Sequence, residues 1–468
     1  MPSFVFLAIA TSLATLILFA LSSLQFWLLG AGSDLGFFDQ LVFLQSQGLT
    51  PISTLYKDIH LIGDHVALVL YPIALLYKIH PSIYWLIFVQ ALSLASGTIP
   101  IYLLSRHFQL SQRFSEAITL CYLLYPVIFN ANFYADFRTE VIAVPALLWA
   151  LFFLRTHRWL PFYGTILLTL LTKDILTLTV ATFGVWIAIF QRRWLHGLAV
   201  VAMSAVWFGV AFFYVIPNFR GDQGIASIGF YAYLGDSFRE IVANLIHNPG
   251  ILITRVLAID NLFYYLLLVL PILGLVKLTK ITDLVPAIAT LGMNTLSDGW
   301  QRDLIHHYSL PILPFLFFWA IDSVASWRHT GRRPWLQPRW AVLWSIAAFC
   351  ALAKYGYFYE RYLPKLPEAI ALHQILPHVH PGDRVLSTSH VVSLVTQRPM
   401  VRLIEGGGWP QGSAKPENFD AIVLSYPFAT TAERVLLDRL IPALLADSKH
   451  YQGFVSIDRQ SFVFRRKV

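Results

Sequence analysis

Apolar and polar positions fall in long blocks along this chain. A helix needs roughly 20 apolar residues to cross the hydrocarbon core of a bilayer. By that measure residues 3–29, 82–105, 114–133, 140–154, 197–217, 260–278, 305–326 and 340–358 are expected spans. Residues 161–190 are apolar except for Lys173 and Asp174 at their centre, which predicts two short helices meeting at that pair. Residues 283–293 predict one more short helix, ending at Asn294. Residues 66–79 are apolar but short and are interrupted by His80, Pro81 and Ser82, so they are expected along the outer surface. The expected fold is an all-α polytopic membrane protein of about eleven transmembrane helices.

Past residue 360 the pattern changes. Residues 384–388 and 420–424 read as short buried strands, 431–446 as a helix, and 453–457 and 461–466 as further strands. Alternating strands and helix predict a small C-terminal α/β domain. The expected domains are therefore 1–359, with a first outer loop at 30–81, and 360–468. Residues 405–413, rich in glycine and containing Trp409, read as a loop; they lack the Lys-Ser/Thr and following helix of a phosphate-binding loop.

Composition agrees with the membrane reading. The 468 residues are 57% hydrophobic and 13% charged, against roughly 25% charged in a soluble domain. Basic clusters at Arg106–Arg113, Arg155–Arg158, Arg192–Arg193 and Arg328–Arg339 belong in the cytoplasm by the positive-inside rule. That orientation puts the amino terminus inside and the carboxyl terminus outside. The net charge of +8 then reflects these loops and contact with anionic membrane lipids, and implies no nucleic acid. Residues 3–29 carry no charge and exceed a signal-peptide core of about 7–15 residues, so they are expected to be a retained helix. Cys121 and Cys350 both lie in apolar runs, and no disulfide is expected.

Orientation sorts the chemistry. Asp34, Asp39, Asp64, His65, Asp136, Glu140 and Asp174 all fall at outer helix ends or in outer loops. Ionisable groups at membrane depth are expensive and face a cavity or a partner, which singles out Lys173 and Asp174; a self-neutralising pair of the two is the plain alternative. Asp64 suits the N-cap of helix 66–79, and His65 beside it suits a phosphate or metal contact. Asp136 and Glu140 are four apart and share a face if their helix begins early. Asp39 lies about 140° round a helix from Asp34, so the two need not form a dyad; Asp39 could orient an acceptor or cap the next helix. Arg302, His306 and His307 open the span at 305, with Arg220 a weaker candidate of the same kind. No HExxH, paired CxxC or Asp-x-Asp is present, so no metal site is expected. No cofactor is named, although a divalent cation stays open.

The stretches "SDLGFFDQ" (33–40), "GDH" (63–65), "IPIYLL" (99–104), "ADFRTE" (135–140) and "HHYSLPILPF" (306–315), in this order, resemble the membrane-protein family catalogued as domain of unknown function 2079. That family is similar to the GT-C glycosyltransferases. The resemblance implies transfer of a sugar from a polyprenyl-phosphate donor to a lipid, glycan or protein acceptor outside the cytoplasm, in a bacterial inner membrane. It implies Asp34 as the general base; Asp39 stands beside it as a second candidate for a catalytic carboxylate. It matches "LTK" at 171–173 to a GT-C motif, which makes Lys173 a donor-phosphate contact. The implied substrate-binding set is Asp64, His65, Asp136, Arg138, Glu140, Lys173, Asp174, Arg302, His306 and His307. GT-C proteins carry an Asp-Glu pair where Leu35 follows Asp34 here. A non-catalytic assembly protein and a lipid flippase or transporter are therefore the alternatives, the latter expected to place ionisable groups near the midplane.

Overall fold

The computed structural model describes residues 3–55, 58–133, 136–220, 226–329, 337–404 and 415–467. The chain forms two compact units: one from residues 1–19, 62–69 and 89–354, the other from residues 20–61, 70–88 and 355–468.

Among the described residues five helices are long and apolar enough to cross a membrane: Phe4–Trp27, Tyr84–His107, Gln112–Phe133, Trp194–Arg220 and His307–Trp327. Pro249–Leu257 and Ile259–Leu275 make a sixth if counted as one span, although they meet at 58°. Four apolar helices are shorter, among them Trp159–Leu170, Leu176–Ile189 and Pro338–Leu352. The first unit is thus helical, and its core is aromatic and aliphatic, with Trp186, Phe315, Phe317 and Tyr125 fully buried.

Helix breaks in this unit have local causes. The segment expected to be continuous from 66 to 79 is two pieces, Leu61–His65 and Leu70–Ile79. Val66 between them has φ +47°, a left-handed conformation that a β-branched residue adopts only under constraint. The helix expected over 283–293 is a 3-10 turn, Leu278–Ala287, and then Ile288–Leu296. Pro286 lies at the junction and lacks the N–H that an α-helix would need there. Likewise the span expected from 305 opens with a 3-10 turn, His307–Ile312, which contains Pro311, before Leu313–His329.

The second unit contains the helices Ser33–Ser46 and Leu70–Ile79, a hairpin of β1 (Ile52–Ser53) and β2 (Ile59–His60), and a five-stranded sheet. That sheet is built from β3 (Val385–Ser387), β4 (Val401–Leu403), β5 (Ala421–Ser425), β6 (Tyr451–Val455) and β7 (Ser461–Arg466) in the order β4-β3-β5-β7-β6. The β3 strand pairs in parallel with β4 and β5, while β7 runs antiparallel to β5 and β6. Helix Thr431–Ala446 packs Leu437, Ile441 and Leu444 against Leu386, Ile422 and Phe464. It begins at a capping box in which Thr430 accepts from Glu433 N–H and Glu433 accepts from Thr430 N–H. Sequence periodicity missed β4, a three-residue strand interrupted by Arg402. The loop read at 405–413, with Trp409, lies outside the described residues.

Candidate functional site

Ionisable side chains converge in the first unit where three pieces of irregular backbone meet. The first is the break between helices Trp159–Leu170 and Leu176–Ile189, which carries Lys173 and Asp174. A broken helix leaves backbone groups without partners, and residues 65–69 satisfy them here: Asp174 N–H donates to His65 O at 3.0 Å, and Val69 N–H to Leu171 O at 3.2 Å. The second piece is therefore the turn Leu61–His65 itself. Gly63 lets it lie against the end of helix Trp194–Arg220, since a Cβ there would stand 2.6 Å from Phe219 O. That helix contains a π-turn, Ala211–Val215, packed against Val66. Such turns recur at functional sites. The extra residue in the π-turn rotates the rest of the helix, and with it the direction of Arg220 at the helix end. The third piece is the start of helix Glu140–Arg155 beside the turn at His307.

The resulting contacts are specific. Lys173 Nζ is ion-paired with Glu140 Oε1, and His307 Nε2 stands 3.6 Å from the same oxygen. Arg220 Nη1 lies 3.4 Å from Asp64 Oδ1. His65 Nε2 is 3.2 Å from Asp64 Oδ2, and its Nδ1 is 3.9 Å from Asp174 Oδ1. Glu140, Lys173, Asp174, Arg220 and His307 are all at least nine-tenths buried. Burial, with Lys173, Arg138 and Arg220 adding their charges, holds the His65 imidazole well below its usual range, so it is neutral. Burial also pushes the Asp174 carboxyl up to about 7, against the pull of Lys173. Within this cluster Arg220 Nε and His307 Nδ1 are buried with no hydrogen-bond partner among the described residues. Buried polar atoms are nearly always paired, so the cluster fits a polar ligand, with Arg220 Nε–H calling for an acceptor oxygen.

The expected residues divide between this cluster and other places. Asp64, His65, Glu140, Lys173, Asp174 and His307 come together, and Arg220, ranked lower from sequence, joins them. Lys173 pairs with Glu140, not with its neighbour Asp174. Asp64 lies inside its own short turn and does not cap helix Leu70–Ile79. Asp136 precedes the helix that begins at Glu140, so the two do not share a helical face. Arg138 donates its backbone N–H to Gln90 Oε1 at 3.1 Å, and its charge acts on His65. His306 turns to Asp303, with Nδ1 2.8 Å from Oδ2, and stacks on Trp300. Arg302 acts electrostatically on Tyr233. Among the described residues no group of three or more His, Cys, Asp or Glu has a metal-holding arrangement.

Asp34 and Asp39 belong to the second unit. Asp34 is half-buried in the first turn of helix Ser33–Ser46, where the helix dipole favours a carboxylate. Asp39 sits mid-helix, so it is not a cap. It is 1% exposed and accepts from Thr396 Oγ1 at 2.5 Å, Tyr77 Oη at 2.7 Å and Gln397 Nε2 at 3.1 Å. Burial pushes its carboxyl up to about 6, with these hydrogen bonds pulling the other way. Gly36 lies one turn before Asp39 and admits the same neighbour closely: a Cβ there would meet Thr396 Cγ2 at 2.9 Å. Beside them Gln40 Nε2 donates to Thr54 Oγ1 at 2.9 Å and to Arg398 O at 3.2 Å. The glycines and carboxylates of residues 32–40 thus have separate tasks. Gly36 and Asp39 seat the helix on residues 393–397, and Asp34 is left on another face. Sequence alone offered no signal for Tyr77, Thr396 or Gln397.

Among solved structures the chain is similar to ArnT from Cupriavidus metallidurans bound to undecaprenyl phosphate. The identity is 13% and the TM-score 0.49, over 96% of this chain and 97% of that one. It is also similar to the Archaeoglobus fulgidus oligosaccharyltransferase in complex with zinc and sulfate, at 13% identity and a TM-score of 0.43, over 97% of this chain and 73% of that one. No curated protein matches its sequence. A family model described as "Predicted membrane protein (DUF2079)" matches residues 25–452, which include every residue of the buried cluster, and the chain belongs to that family.

Proposed function

We propose that the protein is a GT-C-type membrane glycosyltransferase, which moves a sugar from a polyprenyl-phosphate donor to an extracytoplasmic acceptor. The observation that carries this reading is the buried convergence of Lys173, Arg220 and His307, with Arg220 Nε and His307 Nδ1 unpaired among the described residues, inside a helical unit of membrane-spanning character. The transfer breaks the bond from the anomeric carbon to the phosphate oxygen and forms one to an acceptor hydroxyl oxygen. Negative charge grows on the departing lipid phosphate. Lys173 and Arg220 supply positive charge for it, and the Arg220 Nε–H supplies a donor. Preorganised donors of this kind lower a transition state because they need no rearrangement as charge develops. A single base is enough for inversion at the anomeric carbon, and Asp34 is proposed for that role on the family resemblance of residues 33–40 alone. Asp39 holds the helix that carries Asp34.

We count eleven spans in this proposal, with helices Glu140–Arg155, Trp159–Leu170, Leu176–Ile189, Ile288–Leu296 and Pro338–Leu352 added to the five long helices and the bent pair, together with an inner amino terminus and an outer α/β region. It rests for orientation on the four basic loops. The test is to incubate the purified protein in nanodiscs with a panel of radiolabelled polyprenyl-phosphate sugars and acceptor membranes. Transfer from at least one donor is expected, and K173A should abolish it while leaving the thermal unfolding profile cooperative. Absence of transfer from every donor, with the lipid-linked sugar instead crossing the bilayer of a proteoliposome, would establish the transporter.

A further inference from the structure

The hairpin of helices Phe238–His247 and Pro249–Leu257 takes no part in the buried cluster. Its first helix begins at Ser237, whose hydroxyl accepts from Glu240 N–H. Phe238, Ile241, Val242, Leu245 and Ile246 stand at the spacing i, i+3, i+4, i+7, i+8, which lines them along one face. In the second helix Leu252, Ile253, Val256 and Leu257 make the same kind of stripe. None of these residues is buried, and Ile246 is 72% exposed.

The polar sides are satisfied by protein. Arg255 Nη1 is 2.7 Å from Asp298 Oδ1, and its guanidinium lies 4.1 Å over the Tyr233 ring. Asn244 Nδ2 donates to Leu234 O, and Asn261 Nδ2 donates to Arg255 O and Thr295 O. The hairpin is therefore held to its own unit by its polar groups, with its apolar stripes outward.

We infer that the two apolar stripes are embedded in the outer leaflet, at the boundary of headgroups and acyl chains, so that the hairpin lies along the membrane surface. Continuity argues for lipid over any other occupant. The hairpin runs straight into helix Ile259–Val269, whose Ile259, Phe263 and Leu266 are also exposed, and these residues lead into a hydrophobic run of membrane-spanning character. Length argues for the surface over the interior. Helices of 10 and 9 residues reach about 15 Å and about 13 Å at about 1.5 Å per residue, well short of the roughly 30 Å core. The 58° bend after Leu257 is then the point where the chain turns from the surface into the bilayer. A short amphipathic helix with one charged face is the usual form of an interfacial element.

The test uses full-length protein in phosphatidylethanolamine–phosphatidylglycerol nanodiscs, with exposed Cys350 replaced by serine. Spin labels are placed singly through I246C and I253C on the apolar stripes, and through H247C and T254C on the other faces. Collision with oxygen, which partitions into lipid, is compared with collision with a water-soluble nickel chelate. At 246 and 253 oxygen is expected to dominate, at a depth just beneath the phosphates; at 247 and 254 the chelate should dominate. Three outcomes overturn the inference: equal chelate access on both faces, a label at 253 near the bilayer centre, or labels at 246 and 253 shielded from both reagents. The last result would mean that a protein surface, such as a second copy, covers the stripes. Four labelled positions guard against one that fails to fold.

Discussion

Lys173 is ion-paired with Glu140, 33 residues earlier in the chain, while the carboxylate next to it, Asp174, faces His65. The two charges of the helix break therefore have different partners on different elements. This arrangement joins helix Glu140–Arg155 and the turn Leu61–His65 to a single break.

A buried pair is costly to split. Removing one partner strands the other charge away from water, at about 3–5 kcal/mol. K173M and E140L are each expected to lower the thermal unfolding midpoint in detergent. The double variant should recover most of the loss, because two apolar side chains of similar volume replace the pair. The double variant should still lack transfer, which separates the structural contribution of Lys173 from its proposed contact with phosphate. If the two single losses simply add, the pair does not interact.

Asp39 makes stability depend on pH. Its carboxyl titrates near 3.8 when unfolded and at about 6 when folded. A raised folded value means the folded state holds the proton more tightly, so the contribution is fully present below about pH 3.8 and is lost as pH rises through about 6. The amount is on the order of 3 kcal/mol, at about 1.36 kcal/mol per pH unit. D39N, which cannot titrate, should erase that slope. The measurement is the difference in unfolding midpoint between wild type and D39N from pH 4 to 7. A constant difference across this range would show that Asp39 does not titrate there.

Gly63 has no room for a side chain. A Cβ would approach Phe219 O, a backbone atom, at 2.6 Å. G63A must therefore push the turn Leu61–His65 away from Arg220, at about 1–3 kcal/mol by comparison with overpacked cores. Transfer should fall further than stability does, because the Asp64–Arg220 contact is displaced as well. Equal donor turnover by G63A and wild type would show that this contact is dispensable.

If Asp34 is the base, as proposed, D34N should reduce turnover by about 10²–10⁴-fold, the range for loss of a general base. Binding of the lipid-linked donor, followed by tryptophan fluorescence, should be retained. Full activity of D34N would remove the base from this residue.

The elements that a local pattern specifies were legible in advance. The two helices meeting at Lys173–Asp174 lie where the apolar run is interrupted, because burial in lipid depends on an unbroken length of apolar residues. Strands β3, β5 and β7 and helix Thr431–Ala446 likewise came from local runs. The breaks near Val66, Pro286 and Pro311 were blurred: a hydropathy pattern does not distinguish a 3-10 turn from an α-helix.

Partners were not legible. Nothing near Asp39 in the chain announces Thr396, 357 residues away, and nothing near Glu140 announces Lys173. Composition and periodicity determine which segments leave water and which face of each is apolar. The folded chain alone decides which buried charge meets which, since a charge removed from water takes the nearest compensating group in space, whatever its distance along the sequence.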